Sequence, residues 1–254
     1  MLRTVVFYVF LVLWTVVLAN AVLLVALVAP QSGLMHKIGR FWSRGLLKVA
    51  GVSLQVSGLE HLQPGQPYIY AANHQSAFDI FALIAALPYP VNFLAKIELF
   101  GIPFFGLAIK KMGCLPVDRS NRQAAVQSLE QAAAAVREGN SLIIFPEGTR
   151  SPDGTLLPFK KGGFVLAIKS GCPIVPVSLS GSRYIWPKGG GRLQPGPIKV
   201  VFGPPIPTSV YTLRDKDRLL AVVQEAIARH YEPDFPAGAA PSHQVNLDGS
   251  HHRN

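Results

Sequence analysis

The chain has 254 residues, enough for one sizeable α/β domain with an appendage and too few for several independent domains. Charged residues make up only 15% and the hydrophobic class 49%, with a mean hydropathy of +0.30, which excludes disorder over most of the length and implies apolar surface beyond an ordinary soluble core. A formal net charge of +10 favours phosphate-bearing partners, whether nucleic acid, anionic lipid or an acidic carrier.

From Val5 to Ala29 the sequence is apolar except at Thr15 and Asn20, long enough as a helix to cross the roughly 30 Å hydrocarbon layer. A cleaved signal peptide fits poorly, because its apolar stretch is about 7–15 residues and no small-x-small site follows Pro30. In the next segment Lys37, Arg44 and Lys48 share one sector of a helical wheel with Arg40 beside them. Met35, Ile38, Trp42, Leu46 and Val49 take the other side. This pattern predicts a basic amphipathic helix, either in the headgroup plane on anionic lipid or packed on the protein with a solvated face. The cations after the apolar stretch outnumber Arg3, so the positive-inside rule puts the downstream chain in the cytoplasm, whether the helix spans the bilayer or dips into one leaflet. Residues 1–50 are therefore expected to be a membrane anchor, and their deletion to release the rest.

Beyond residue 51, apolar runs alternate with helical stretches, which predicts an α/β domain. Strands are expected at 53–57, 68–72, 91–95, 114–117, 142–145, 174–179 and 198–202. Helices are expected after Ser76 and over 102–111, 121–138, 162–169 and 214–231, the domain running to 232. The tail from 233 to 254 is rich in Pro, Gly and polar residues and is expected to be disordered. Cys114 and Cys172 form no metal-binding or redox spacing and read as packing residues.

Two polar clusters follow apolar strands directly, where α/β folds put their sites. In Asn73-His74-Gln75-Ser76-Ala77-Phe78-Asp79, residues five apart stand about 140° from each other on one helix. His74 and Asp79 can therefore meet only if His74 precedes the helix and Asp79 lies in its first turn. That arrangement suits general-base catalysis, the carboxylate fixing the imidazole tautomer. Ser76 and Asp79 also have the spacing of an acidic capping box, a purely local use. In Phe145-Pro146-Glu147-Gly148-Thr149-Arg150-Ser151, a guanidinium beside a small glycine and a hydroxyl suits a phosphate. Glu147 and Arg150 could equally brace a turn. Lys96, Arg119, Lys160 and Lys161 form a scattered basic set, and Arg183, Lys188 and Arg192 around Gly189-Gly190-Gly191 read as a flexible surface loop. Neither a nucleophile-elbow serine nor a nucleotide-binding glycine signature occurs.

Taken in order, NHQSAFD, AKIELFGIP, GCLPVDR, FPEGTRS, FKKGG and IVPVSL closely resemble the bacterial 1-acyl-sn-glycerol-3-phosphate acyltransferases of the glycerolipid acyltransferase superfamily, over roughly residues 45–210. The resemblance implies a mixed, largely parallel sheet flanked by helices. It makes His74 and Asp79 the catalytic pair. Arg119 and Arg150 would contact the acceptor phosphate, with Lys96 a further candidate. Glu147, Gly148 and Thr149 would line the acceptor site, and Val175-Pro176-Val177 would pack beneath the acyl channel. It further implies lysophosphatidic acid as acceptor, acyl-coenzyme A or acyl-carrier protein as donor, no metal or cofactor, no nucleic-acid partner, and a place on the cytoplasmic face of the bacterial inner membrane. The same chemistry on another lysolipid is the neighbouring alternative, and a non-catalytic lipid-binding protein the more distant one.

Overall fold

The computed structural model describes residues 1–118 and 122–236. Seven strands form one sheet: β1 (Val52–Ser57), β2 (Ile69–Ala72), β3 (Asn92–Lys96), β4 (Leu115–Val117), β5 (Leu142–Ile144), β6 (Ile174–Ser180) and β7 (Gly196–Phe202). Their order is β1-β7-β6-β2-β5-β3-β4, parallel throughout except between β6 and β7. The expected mixed, largely parallel sheet is the observed one, and each strand overlaps its sequence-predicted run.

β2 sits at the centre because all four of its residues are buried, leaving nothing to face water on either side. Its side chains alternate between two cores. Tyr70 and Ala72 point to the face covered by α1 (Leu2–Val28), α2 (Leu34–Ala50) and α3 (Phe78–Ala86). Ile69 and Ala71 point to the face covered by α5 (Arg122–Arg137), α6 (Gly162–Ser170) and α8 (Lys216–Ala228). Between β3 and β4 the chain makes an excursion through a 3-10 turn and α4 (Phe105–Lys111), and α7 (Ser182–Ile185) is a single turn after β6. The expected helix start at 121 lies outside the described residues, as do Arg119 and the chain beyond 236.

α1 is one helix long and apolar enough to cross a membrane by length and composition. It is packed along the domain at both ends. Near its start the buried Phe7 ring stands 5.5 Å from Phe78 and 6.1 Å from Trp186, and farther along Ala19 and Val22 pack with Met35 of α2 and Ala108 of α4. The polar residues of the run are satisfied within the protein: Thr15 Oγ1 accepts the Trp42 indole N–H at 2.9 Å, and Asn20 donates to the Val16 carbonyl at 2.8 Å. The side of α1 turned away from the domain, with Val5, Val9, Val12, Val16 and Leu27, is exposed.

α2 is amphipathic as the wheel predicts, but its apolar side, with Leu46, Leu47 and Ala50 fully buried, faces the protein core. Its outer stripe is Leu34, Lys37, Phe41 and Lys48. The four-cation face is smaller than the sequence suggests. Arg40 is turned onto the Pro88 carbonyl at 2.6 Å, and the Arg44 Nε is buried against the protein.

Candidate active site

Because β2 and β5 are adjacent and parallel, with Ile69 opposite Leu142 and Ala71 opposite Ile144, the two polar clusters that follow them leave the same edge of the sheet. The β-sheet order reverses there, with β5 on one side of β2 and β6 on the other, which is where open α/β sheets form crevices. Asn73 closes the strand side. Its amide donates to the Leu179 carbonyl at 2.9 Å and accepts the Leu179 N–H at 2.7 Å, so a side chain continues the pairing of β2 with β6 after the backbone has turned away.

The turn from β2 into α3 brings His74 and Asp79 together. His74 precedes the helix, Asp79 lies in its first turn, and Nδ1 and Oδ2 are 2.9 Å apart. Oδ2 also accepts the backbone N–H groups of Gln75 at 2.6 Å and Ser76 at 2.8 Å. The Asp79 half of the capping box and the tautomer-fixing contact, foreseen as alternatives, thus coexist on one oxygen, while Ser76 Oγ accepts the Phe78 rather than the Asp79 N–H. A carboxylate only accepts, so this bond holds the proton on Nδ1 and leaves Nε2 with its lone pair. Nε2 has no hydrogen-bond partner among the described residues. The imidazole plane is fixed by stacking on Phe145 at 4.0 Å and 20°.

Glu147 reaches the same turn from β5. Its Oε1 accepts the His74 backbone N–H at 2.7 Å and its Oε2 the Leu157 N–H at 3.0 Å, and the side chain is buried. Burial pushes its carboxyl up to about 7, against the pull of those two N–H groups and with a further push from Asp79. The Ser151 N–H donates to the His74 carbonyl at 2.8 Å, completing the tie between the two loops. Thr149 is exposed, and Arg150 is half-buried with no ion pair or hydrogen bond to another described residue. Gly148 adopts a left-handed φ of +71°, and the Lys160 side chain crosses it so closely that a Cβ would lie 2.8 Å from Nζ.

The rest of the scattered basic set is drawn elsewhere. Lys96 ends β3 at the same sheet edge but is exposed and paired with Glu98 at 2.7 Å, and Lys161 is paired with Asp217 of α8 at 2.9 Å. Val175 and Val177 lie wholly inside the core. Cys172 and Cys114 are free thiols whose burial pushes them up to about 12 and about 11, consistent with packing.

Sequence reasoning missed the far braces of the site. Gln75 donates to the Tyr231 hydroxyl, which itself donates to the Gly154 carbonyl, joining the turn after β2 to the chain beyond α8. Ser76 Oγ donates to the Trp186 carbonyl at 2.7 Å and accepts the Phe78 N–H at 3.2 Å. Tyr231, Gly154 and Trp186 are more than 70 residues away from Gln75 and Ser76, so no local pattern announces them.

The Acyltransferase family model matches residues 53–180. The chain is 36% identical over 243 residues to a 1-acyl-sn-glycerol-3-phosphate acyltransferase of Limnanthes douglasii, covering 92% of this chain and 84% of that one. It is 34% identical over 208 residues to the enzyme of that name from Pseudomonas aeruginosa, covering 80% of each. Its fold matches the crystal structure of the 1-acyl-sn-glycerophosphate (LPA) acyltransferase from Thermotoga maritima with a TM-score of 0.79 at 28% identity, over 90% of this chain and 92% of that one. With the His74–Asp79 turn and the Glu147 loop on one sheet edge, these matches establish that the chain belongs to the acyltransferase family, within the 1-acyl-sn-glycerol-3-phosphate acyltransferases of the glycerolipid acyltransferase superfamily.

Proposed function

We propose that the protein transfers a fatty acyl group from a thioester to the sn-2 hydroxyl of 1-acyl-glycerol-3-phosphate, giving phosphatidic acid, with His74 as general base. The observation that carries this reading is an imidazole whose Nδ1 is held by a buried carboxylate while Nε2 has no hydrogen-bond partner among the described residues. As the hydroxyl oxygen attacks the thioester carbonyl, Nε2 takes its proton and Asp79 stabilises the imidazolium. The carbon–sulfur bond then breaks, and the proton leaves with the thiolate as free thiol. The family names of the relatives support the acceptor, and Arg150, without an ion pair among the described residues, is the side chain we assign to its phosphate. Acyl-coenzyme A and acyl-carrier protein both suit a chain of net charge +10 as donors.

We further propose that the protein lies on one leaflet, on the cytoplasmic face of a bacterial cell membrane. Both ends of α1 are fixed to the domain, so its exposed apolar side enters lipid along the helix rather than through it, and Lys37 and Lys48 of α2 reach anionic headgroups. The test of the reaction is product analysis. Purified protein in neutral micelles, given a thioester and lysophosphatidic acid, should release one free thiol per phosphatidic acid formed, with the new chain at sn-2. Thiol release without phosphatidic acid would reject the acceptor, and the absence of both would reject the enzyme.

A further inference from the structure

We propose that Lys188, in a segment outside every motif of the family resemblance, is a ligand of the acceptor's phosphomonoester. The inference rests on the acyl-transfer reading only for the identity of that acceptor. The segment is fastened to both loops of the site. The Trp186 carbonyl accepts the Ser76 hydroxyl at 2.7 Å on the β2 side, and two residues later Lys188 Nζ donates to Thr149 Oγ1 at 3.2 Å on the β5 side. The ammonium therefore stands at the neighbour of Arg150, on the turn whose next residue, Ser151, is bonded to the His74 carbonyl.

The charge pattern there is one-sided. Lys188, Arg150 and Lys160, whose side chain crosses Gly148, flank the turn, and none of them has an ion pair among the described residues. Among the described residues Lys96, Lys161, Lys169 and Lys199 are each paired with a carboxylate, while Lys37, Lys48, Lys110, Lys111 and Lys216 are not; what sets Lys188, Arg150 and Lys160 apart is that they border one turn. The carboxylate nearest in sequence, Glu147, is buried and spent on backbone N–H groups. Cations gathered without a counter-ion repel one another, and a dianionic phosphomonoester between them relieves that repulsion while accepting hydrogen bonds from each. Arg192, on the same loop, lies instead with Arg3 and Gln194 in a recess at the start of α1, which makes it a control of equal charge.

The test measures equilibrium binding without any donor, so that no turnover is required. Lysophosphatidic acid and the monoacylglycerol of the same chain are titrated, in neutral detergent, into wild type, Lys188→Gln, Lys188→Arg and Arg192→Gln. Lys188 is exposed, so its substitution carries no packing cost. Lys188→Gln is expected to weaken lysophosphatidic acid binding about ten- to hundredfold, the worth of one charge-assisted bond. Lys188→Arg should keep most of the affinity, Arg192→Gln should stay within about twofold, and the monoacylglycerol should not discriminate among the four. Unchanged lysophosphatidic acid binding in Lys188→Gln, or equal weakening for both lipids, overturns the proposal. In steady state with acyl-coenzyme A, the variant should raise KM for the acceptor. A rise confined to KM for acyl-coenzyme A would give the cation to the donor's phosphates and also overturns it. Selective lysophosphatidic acid binding that Lys188→Gln weakens, in a protein that transfers no acyl group, supports Lys188 while rejecting the acyl-transfer reading.

Discussion

Asp79 serves His74 and the backbone with one and the same oxygen. Oδ2 accepts the imidazole at 2.9 Å together with the N–H groups of Gln75 and Ser76, while Oδ1 is buried without a partner among the described residues. Asparagine can present its carbonyl oxygen to all three donors and its NH2 toward the vacant side. Asp79→Asn is therefore expected to stay folded, with a stability loss of about 1 kcal/mol, the usual worth of a helix-start bond. Its turnover should fall by about a hundredfold or more, because the imidazolium loses its counter-charge. Thermal unfolding and initial rates on the same preparation check both halves.

The buried Glu147 makes stability depend on pH in a stated direction. Its folded-state value of about 7 lies above the ordinary 4.5, so the favourable contribution of the protonated form is complete below about pH 4.5 and is lost as pH rises through 7. Glu147→Gln removes the titration. The stability difference between wild type and variant should thus shift against wild type between pH 4.5 and pH 8, measured as the difference in Tm across that range. A constant difference would mean that Glu147 carries the same protonation in the folded and the unfolded protein across that range.

Removal of residues 1–50, expected from sequence to free a soluble domain, takes Phe7, Leu46, Leu47 and Ala50 out of the main core. Truncating one large buried apolar side chain to Ala costs about 2–5 kcal/mol, against a typical total stability of about 5–15 kcal/mol. The deletion should therefore yield unfolded, aggregating protein. Phe7→Ala, which breaks the contact of α1 with Phe78 and Trp186, should instead give a folded protein destabilised by about 3–5 kcal/mol, read by denaturation in micelles.

Arg150→Ala should lower kcat/KM about ten- to hundredfold for an acceptor with a phosphomonoester and much less for one without it. Arg150→Lys should restore only part, since an ammonium keeps the charge but lacks the two-pronged donor. Equal losses on both acceptors would assign Arg150 to bracing the loop.

The sheet was legible because its strands are short apolar runs set between helical periods, and a run such as Tyr68–Ala72 buried on both faces has no other stable use. The site was legible where chemistry is local. Five residues bring His74 to Asp79, whereas Glu147 and Arg150, open as a bracing pair from sequence, do not pair: Glu147 accepts the His74 and Leu157 N–H groups instead. What escaped depends on distant pairing. Nothing near Lys188 says that Trp186 is fastened to Ser76, or that Tyr231 reaches Gln75 across the domain. Burial also reassigned charges that spacing alone had placed together. Arg40 and Arg44 fall beside Lys37 on a wheel, yet Arg40 is turned onto the Pro88 carbonyl and the Arg44 Nε is buried, and the same wheel cannot say whether an apolar helix side meets lipid or a core.

The most direct measurement is the initial rate of acyl transfer to lysophosphatidic acid by His74→Ala beside wild type, with acceptor affinity measured in parallel. Loss of a positioned general base removes about a hundred- to ten-thousandfold in rate while leaving the phosphate contacts in place. The expected result is a kcat lower by at least about a hundredfold with acceptor binding unchanged within about twofold. A His74→Ala protein that turns over within a few fold of wild type would contradict it and leave His74 a structural residue of the turn.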